Sequence, residues 1–368
     1  MPLVKAKRDE LLGPLASVSG IIERRHTLPI LSNVLIDRQN DGLAFLATDI
    51  EIQITARTSL PVAPDAAAVT VGARKLVDIL RALPDGADVV LQAQEKKLQV
   101  KAGKSRFVLQ TLPAEDFPKL ARPSGEVARF SLSQGVLRRH LAMVQYAMAQ
   151  QDIRYYLNGL LIVVEERSMK LVATDGHRLA YASLPLETEL PRQEIIVPRK
   201  TVLELGKLLS DNDDPVEIEL SPTQAAFNFG TVELVSKLID GKFPDFTRVI
   251  PTQHKNELRL DREMLRQALM RAAILSNEKF RGVRWVVTEG SLKVVSSNAE
   301  QEEALEEIDV TYSGDPLDIG FNVNYMLDVL NNMAHKEVVC RFGDSASSVL
   351  ISFPEEQEFK YVVMPMRI

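Results

Sequence analysis

The stretch Leu171-Val-Ala-Thr-Asp-Gly-His-Arg-Leu-Ala180 decides how this chain is read, because Leu46-Ala-Thr-Asp-Ile50 repeats its heart upstream. Asp175, His177 and Arg178 crowd into four residues behind a predicted strand and look chemical at first sight. A catalytic motif seldom recurs stripped of its His and Arg, whereas a structural unit recurs readily. Two questions follow: whether the chain is built of repeats, and what the middle copy has been adapted to do.

Outward from that stretch, three copies of one unit line up. Each opens on a predicted amphipathic helix. Leu260, Met264, Leu265, Ala268, Leu269, Ala272 and Ala273 recur at helical spacing behind Asp261, a candidate cap. Leu132, Val136, Leu137, Leu141, Val144 and Ala147 repeat the pattern, with Ser131 or Ser133 near the start. The first copy predicts a helix over Asp9 to Ile22, against the sense of Gly13, Pro14 and Gly20.

Paired strands are expected next: Leu28–Ile36 with Leu43–Ala47, Tyr155–Val164 with Met169–Ala173, and Val283–Val287 with Leu292–Val295. Less regular connections follow over Thr48–Leu60, Thr174–Leu184 and Ser296–Tyr312. Val69–Leu80, Ile195–Gly206 and Leu317–Leu330 align as strand, short break and helix, and three short strands close each copy. The class is α+β, with three tandem copies of a helix-plus-antiparallel-sheet domain over residues 1–125, 126–252 and 253–368.

Composition sets outer bounds. Hydrophobic content of 45% with 26% charged residues fits a soluble globular protein. The single cysteine, Cys340, leaves no disulfide within the chain and points to a reducing, cytoplasmic setting. No signal peptide core follows Met1, and no uncharged apolar run reaches the length of about 18 residues that a membrane helix needs. The net charge of −6 argues against general nucleic-acid binding yet leaves room for a local basic surface.

Several chemical-looking signals dissolve on inspection. Gly103-Lys104-Ser105 resembles the end of a phosphate-binding loop, but the required first glycine falls on Leu98 and the segment lies between two strands. Asp175 and His177 lack a nucleophile turn of the Gly-x-Ser-x-Gly kind, so a backbone-turning role for Asp175 is the simpler reading. His26, His140, His177, His254 and His335 show no helical metal spacing, so neither metal nor cofactor is implied.

Two features resist dismissal. Copy one carries Lys96, Lys97, Lys101, Lys104 and Arg106 on its closing strands, while copy three carries Glu300, Glu302, Glu303, Glu306 and Glu307. These are either two solvated faces or the halves of a head-to-tail contact between chains. Basic residues also recur at matching places: Arg24 and Arg25, Arg74 and Lys75, Arg138 and Arg139, Arg199 and Lys200. Near helix starts such residues suit phosphate contacts of a salt-sensitive, shape-tolerant kind.

Thr27-Leu-Pro-Ile-Leu31, Gln151-Asp-Ile-Arg-Tyr-Tyr-Leu-Asn-Gly159, Ala173-Thr-Asp-Gly-His-Arg-Leu-Ala180 and Val197-Pro-Arg-Lys200 resemble the bacterial DNA polymerase III beta subunits, the sliding clamps. So do Ser236–Asp245, Ala273–Gly282 and the terminal Tyr361-Val-Val-Met-Pro-Met-Arg-Ile368, where Ile368 replaces the usual Leu. The resemblance spans essentially the whole chain. It implies two chains joined head to tail in a closed ring around duplex DNA, a processivity factor without catalysis of its own. It also implies DNA contacts at Arg25, Arg74, Gln151, Tyr155, Tyr156 and Lys200.

The same resemblance implies a chain–chain joint in which Phe107 and Leu109 meet Ile274 and Leu275, with Lys75, Lys104 and Arg106 facing Glu300, Glu303 and Glu306. A partner-peptide pocket would be built from Leu157, Thr174, Gly176, His177, Arg178 and Leu179 in copy two, followed by Pro244, Arg248 and Val249. Copy three would complete it with Asn322, Tyr325, Ser348, Val362, Met364, Pro365, Met366 and Arg367. Implied partners are the polymerase III alpha subunit, the clamp loader, other DNA polymerases, mismatch-repair proteins and ligase, each inserting a short clamp-binding peptide. The competing readings are a phosphate-handling enzyme using Asp175 and His177, and a monomeric repeat scaffold that never meets DNA.

Overall fold

The computed structural model describes residues 2–23, 28–39, 42–63 and 66–368. Copy one runs β1 (Val4–Lys7), α1 (Arg8–Ser19), β2 (Asn33–Gln39), β3 (Gly42–Thr48), β4 (Ile52–Arg57), β5 (Val69–Gly72), α2 (Ala73–Ala82), β6 (Asp88–Gln94), β7 (Lys97–Ala102) and β8 (Ser105–Leu112). Copy two runs β9 (Ala128–Ser133), α3 (Gln134–Val144), β10 (Gly159–Thr174), β11 (Arg178–Pro198), α4 (Arg199–Leu208), β12 (Pro215–Leu220), β13 (Gln224–Phe229) and β14 (Val232–Lys237). Copy three runs β15 (Asn256–Asp261), α5 (Arg262–Ala273), β16 (Gly282–Thr288), β17 (Ser291–Ser297), β18 (Glu303–Asp309), β19 (Leu317–Asn322), α6 (Val323–Asn332), β20 (Glu337–Phe342), β21 (Val349–Phe353) and β22 (Glu356–Val363).

The helices form close to where the periodicity places them, but Leu132 and Leu260 belong to the strands β9 and β15, and Ala147 to a 3-10 turn. α1 buries Leu11, Leu15 and Val18 at three- and four-residue spacing, and this apolar stripe outweighs the helix-breaking tendency of Pro14. Lys7 N–H donates to Glu10 at 2.7 Å and ties down one backbone donor at its start. In α5, Asp261 accepts the N–H of Met264 at 3.0 Å, so the expected cap is in place. Ser133 likewise accepts the N–H of Val136 at 3.3 Å at the start of α3.

The strands depart from expectation in three ways. The connections expected to be irregular each hold a strand: β4, the first part of β11, and β18. Gln53 and Thr55 in β4 are buried beside Ile52 and Ile54, and β18 alternates glutamates with Leu305, so neither reads as a simple apolar alternation. Each copy also begins with a short strand of four to six residues, β1, β9 or β15, that runs directly into its first helix. Finally, the two strands expected as a pair in copy two, Tyr155–Val164 and Met169–Ala173, run together as β10, which pairs along β11 with a register that shifts around Glu166. β10 starts at Gly159, because Tyr155–Leu157 forms a 3-10 turn.

By compactness the chain divides into residues 1–138 with 200–238, and residues 139–199 with 239–368. The first unit contains one twelve-stranded sheet, in the order β1-β6-β7-β8-β5-β2-β3-β4-β14-β13-β12-β9. Here β4 of copy one pairs antiparallel with β14 of copy two, so a sheet crosses the boundary between repeats. The second unit holds a six-stranded sheet, β10-β11-β22-β21-β20-β15, in which β11 of copy two pairs with β22 of copy three in the same way. Its other sheet, β18-β17-β16-β19, belongs to copy three alone and buries Trp285 edge-on against Phe321 at 5.2 Å.

Charge reinforces the β4–β14 seam. The buried carboxylate of Glu233 on β14 accepts from Arg57 of β4 at 2.5 Å and from Arg122 Nε at 2.5 Å. Replacing Glu233→Ala removes both charge-assisted bonds while the two arginines keep access to water. We expect a loss of about 1–2 kcal/mol, read as a lower urea midpoint; an unchanged midpoint would mean that strand pairing alone holds the seam.

Candidate functional site

The turn between β10 and β11 is made by Thr174 and Asp175. Thr174 Oγ1 donates to the carbonyl of Arg178 at 2.5 Å and accepts the N–H of Gly176 at 3.1 Å. Asp175 Oδ1 accepts the backbone N–H groups of His177 at 2.9 Å and Arg178 at 3.1 Å. Copy one repeats this bond for bond. Thr48 Oγ1 donates to the Ile52 carbonyl at 2.8 Å and accepts from Ile50 at 3.0 Å, while Asp49 Oδ1 accepts from Glu51 and Ile52. The third turn residue has positive φ in both, 89° at Gly176 and 71° at Ile50.

The Thr-Asp pair is therefore a folding device. Asp175 is engaged by the backbone through Oδ1 and by Arg178 Nε through Oδ2 at 3.2 Å. His177 instead stacks on Tyr325, with ring centroids 6.4 Å apart. No group of three His, Cys, Asp or Glu able to hold a metal occurs among the described residues. Burial pushes the Cys340 thiol up to about 12.

Arg178 organises the wall behind the turn. Its side chain is largely buried, with the guanidinium 4.5 Å from the centre of the Tyr325 ring and bonded to Asp328 at 2.5 Å, Tyr146 O at 2.7 Å and the Tyr361 hydroxyl at 3.4 Å. Tyr361 in turn donates to Tyr325 O at 2.9 Å. Burial works against the charge on Arg178, but Tyr361 and Asp328 outweigh it and raise its pKa. Burial, then the nearby Asp175, raises that of Tyr325. Tyr146, Asp328 and Tyr361 escaped the sequence reading: one aromatic, one helical aspartate and one strand tyrosine carry no shared spacing.

The pocket candidates fall into groups. Leu157, Leu179 and Val362 share one buried apolar cluster with Leu161, Val172 and Leu350, and Val249 packs against its edge. The terminal segment crosses nearby: Met364 N–H donates to His177 O at 2.9 Å, and Met366 N–H to Gly320 O at 2.8 Å. Met364 is exposed, while Pro365 and Met366 are half-buried. Ser348 is half-buried and Pro244 and Arg367 are exposed. Arg248 turns to Asp245 at 2.9 Å, and Asn322 caps α6 by accepting from Asn324 N–H at 2.9 Å.

Of the candidate DNA contacts, Arg25 lies outside the described residues. Arg74, Gln151 and Tyr155 are exposed, Tyr156 is half-buried, and Gln151 has a positive φ of 56°. Lys200 differs, since its ammonium bridges Glu23 at 2.9 Å and Asp49 at 2.5 Å. Of the joint candidates, Lys75, Lys104 and Arg106 are exposed, as are Glu300 and Glu303, but Glu306 is already held by Arg271 at 2.9 and 2.5 Å. Phe107, Leu109 and Leu275 are half-buried, and Ile274 is 76% exposed.

Comparison with known proteins agrees along the whole chain. The family models for the N-terminal, central and C-terminal domains of the DNA polymerase III beta subunit match residues 4–121, 131–245 and 247–367. The beta sliding clamp of Escherichia coli K12 is 46% identical over 362 residues, covering 98% of this chain and 99% of that protein. That of Pseudomonas putida is 47% identical over 364 residues, with the same shares covered. A sliding clamp from Pseudomonas aeruginosa, solved bound to griselimycin, superposes with a TM-score of 0.95 at 45% identity over 100% of both chains. Pol III beta of Caulobacter crescentus gives 0.93 at 39% identity, over 99% of this chain and 100% of that one.

Asp328→Ala would leave the buried Arg178 guanidinium without its closest carboxylate. The expected cost is about 1–3 kcal/mol, seen as a lower melting temperature, with Asp328→Asn recovering part of it; equal melting temperatures for all three proteins would show that Asp175 and the carbonyls suffice.

Proposed function

This chain belongs to the DNA polymerase III beta subunit family, and we propose that two copies join head to tail into a closed ring around duplex DNA. The ring is a sliding clamp: it holds polymerase to its template by topology, confers processivity, and catalyses nothing itself. One observation carries the reading. At both internal seams the strand that follows the Thr-Asp turn pairs with the last strand of the next copy, β4 with β14 and β11 with β22. The corresponding strands left over are β18 of copy three, at the edge of its sheet, and β8 of copy one, whose residues 105–110 are paired on one side only.

An unpaired edge displays a row of backbone donors and acceptors ready for another strand. The two left-over edges are opposite in charge and both carry exposed apolar residues, Val108 on β8 and Leu305 on β18. Repeating the β4–β14 register would set Phe107 opposite Ala304 and Ser105 opposite Glu306. The end of α5 supports the same joint. Ile21, just beyond α1, is fully buried, while Leu275 at the matching place beyond α5 is half-buried beside the exposed Ile274. A second chain bringing Phe107 and Leu109 would cover them, with Lys75, Lys104 and Arg106 answering Glu300, Glu303 and Glu306 at the rim.

Arg25, Arg74, Gln151, Tyr155, Tyr156 and Lys200 would line the hole and touch the DNA backbone without reading sequence. Lys200 contributes less field than Arg74 because Glu23 and Asp49 compensate its charge. The net charge of −6 keeps the remaining surface from clinging to DNA. The apolar cluster that holds Leu157, Leu179 and Val362, together with His177, Arg178, Tyr325, Met364 and Met366, would take short peptides from the polymerase alpha subunit, the clamp loader, other polymerases, mismatch-repair proteins and ligase. Methionines suit such a site, since they adapt to related side chains. No helix of the described residues is long and apolar enough to cross a membrane, and the cytoplasm is the proposed site of action.

Two experiments test this. At the β4–β14 seam Lys237 N–H donates to Glu51 O and Arg57 N–H to Thr231 O, which makes the Val232–Ala56 pair the close, non-hydrogen-bonded kind. Ser105 and Glu306 would inherit that place, so Ser105→Cys with Glu306→Cys should oxidise to covalent dimers. Ser105→Cys with Ala304→Cys, a diagonal pair about 7–8 Å apart, should not; cross-linking of the second pair alone would refute the register. For the pocket, Met364→Ala should weaken binding of a clamp-binding peptide on the order of tenfold, about 1.4 kcal/mol, in an intact ring. Undiminished affinity would place the peptide elsewhere.

A further inference from the structure

The helix-to-strand loops of copies two and three carry one four-residue device. Asp152-Ile-Arg-Tyr155 and Asn277-Glu-Lys-Phe280 both run Asx, any residue, cation, aromatic. Each lies between the first helix of its copy and the glycine that opens the next strand, Gly159 or Gly282. The leading side chain folds both loops alike. Asp152 Oδ1 accepts the N–H of Arg154 at 2.8 Å, and Asn277 Oδ1 accepts those of Lys279 at 3.0 Å and Phe280 at 3.1 Å.

The copy-three loop is then pinned at its far end. Arg281 has a φ of 53°, its N–H donates to Asn277 O at 2.8 Å, and its carbonyl accepts the N–H of Val323 at 2.8 Å. Its guanidinium reaches back to Ala273 O at 3.3 Å. What this frame displays is apolar: Phe280 is 57% exposed, and Tyr155 in the copy-two loop is 58% exposed. A large ring held outward on a fixed turn is a contact surface in waiting.

The charges name the partner. Lys279 is exposed, its ammonium lies 5.3 Å from the centre of the Phe280 ring, and no carboxylate among the described residues pairs with it. Glu278 faces solvent beside it, but Arg281 leaves the loop net positive. Arg154, the matching cation of copy two, is bound by the Asp152 carboxylate at 2.8 Å and by Asp175 O at 3.2 Å. Copy three thus has the freer charge. A free ammonium beside an outward ring suits a phosphodiester backbone, with the ammonium on phosphate and the ring against the sugar.

The geometry points to Asn277–Arg281 as a further duplex-DNA contact, the copy-three counterpart of the Gln151–Tyr156 loop, with Lys279 on phosphate and Phe280 packed beside it. It rests on the proposal that the ring encloses DNA through the copy-two loop. The test is equilibrium binding of the assembled ring to a short fluorescent duplex across a salt series, with sedimentation to follow the ring. Lys279→Ala should bind several-fold more weakly at low salt, and its logarithmic salt slope should shrink by about one for each loop engaged. Phe280→Ala should weaken binding with the slope unchanged.

Both variants binding like the wild type, while Arg74→Ala weakens, would overturn the loop assignment and leave the ring reading standing. Wild type and Arg74→Ala showing no salt-dependent binding would instead sink the ring reading itself. If Phe280→Ala falls apart into monomers and regains full DNA affinity once cross-linked through the Ser105→Cys and Glu306→Cys pair, the loop belongs to the chain–chain joint and the DNA assignment fails.

Discussion

A sheet edge leaves backbone N–H and C=O groups without partners, and this protein answers that constraint with its own repeats. The strand after the Thr-Asp turn of one copy takes up the last strand of the next, so β4–β14 and β11–β22 are built alike although their side chains differ. Leu234 stands opposite Ile54 in the first seam and Tyr361 opposite Ala180 in the second. The backbone supplies the common geometry, and the side chains adjust volume and charge around it. A chain with three copies has two such seams and leaves β18 and residues 105–110 of β8 without the corresponding partner, which is the physical root of its proposed self-association.

The same economy shapes the turn after β10. Thr174 and Asp175 fold it with the bonds that Thr48 and Asp49 use in copy one, so the fold requires only the Thr-Asp pair. What lies beyond that pair is free to diverge. Copy one bends through Ile50 and lends Asp49 to Lys200. Copy two bends through Gly176 and directs Arg178 into a buried nest of Tyr146, Tyr325, Asp328 and Tyr361. That nest holds Arg178 in one place behind the turn, and a wall ordered in advance is what the proposed peptide pocket would need. Copy three lengthens the same turn and places Asn298 there, accepting the N–H of Glu302 at 2.9 Å.

Much of this was legible along the chain. Helix periodicity survived even Pro14 in α1, because apolar residues at three- and four-residue spacing report burial whatever the local propensity. Strands with polar residues on a covered face were lost: Gln53 and Thr55 are buried, and Gln53 accepts the N–H of Leu120 at 2.7 Å from a distant segment that no local pattern announces. At the site, the turn and its flanking motif could be found by their recurrence. Asp328 and Tyr146 could not, because each meets Arg178 from a distant segment, and Lys200 read as a free cation until Glu23 and Asp49 were seen beside it.

The sequence by itself determined the repeat, the class of each copy, the family and the charge contrast between its ends, because periodicity and recurrence are properties of order along a chain. Only the tertiary structure decided which edges are satisfied and which are left over, which charges are already compensated, and that Asp175 turns a backbone instead of serving a histidine. Those depend on which distant groups share a hydrogen bond, and a hydrogen bond is fixed by position in space.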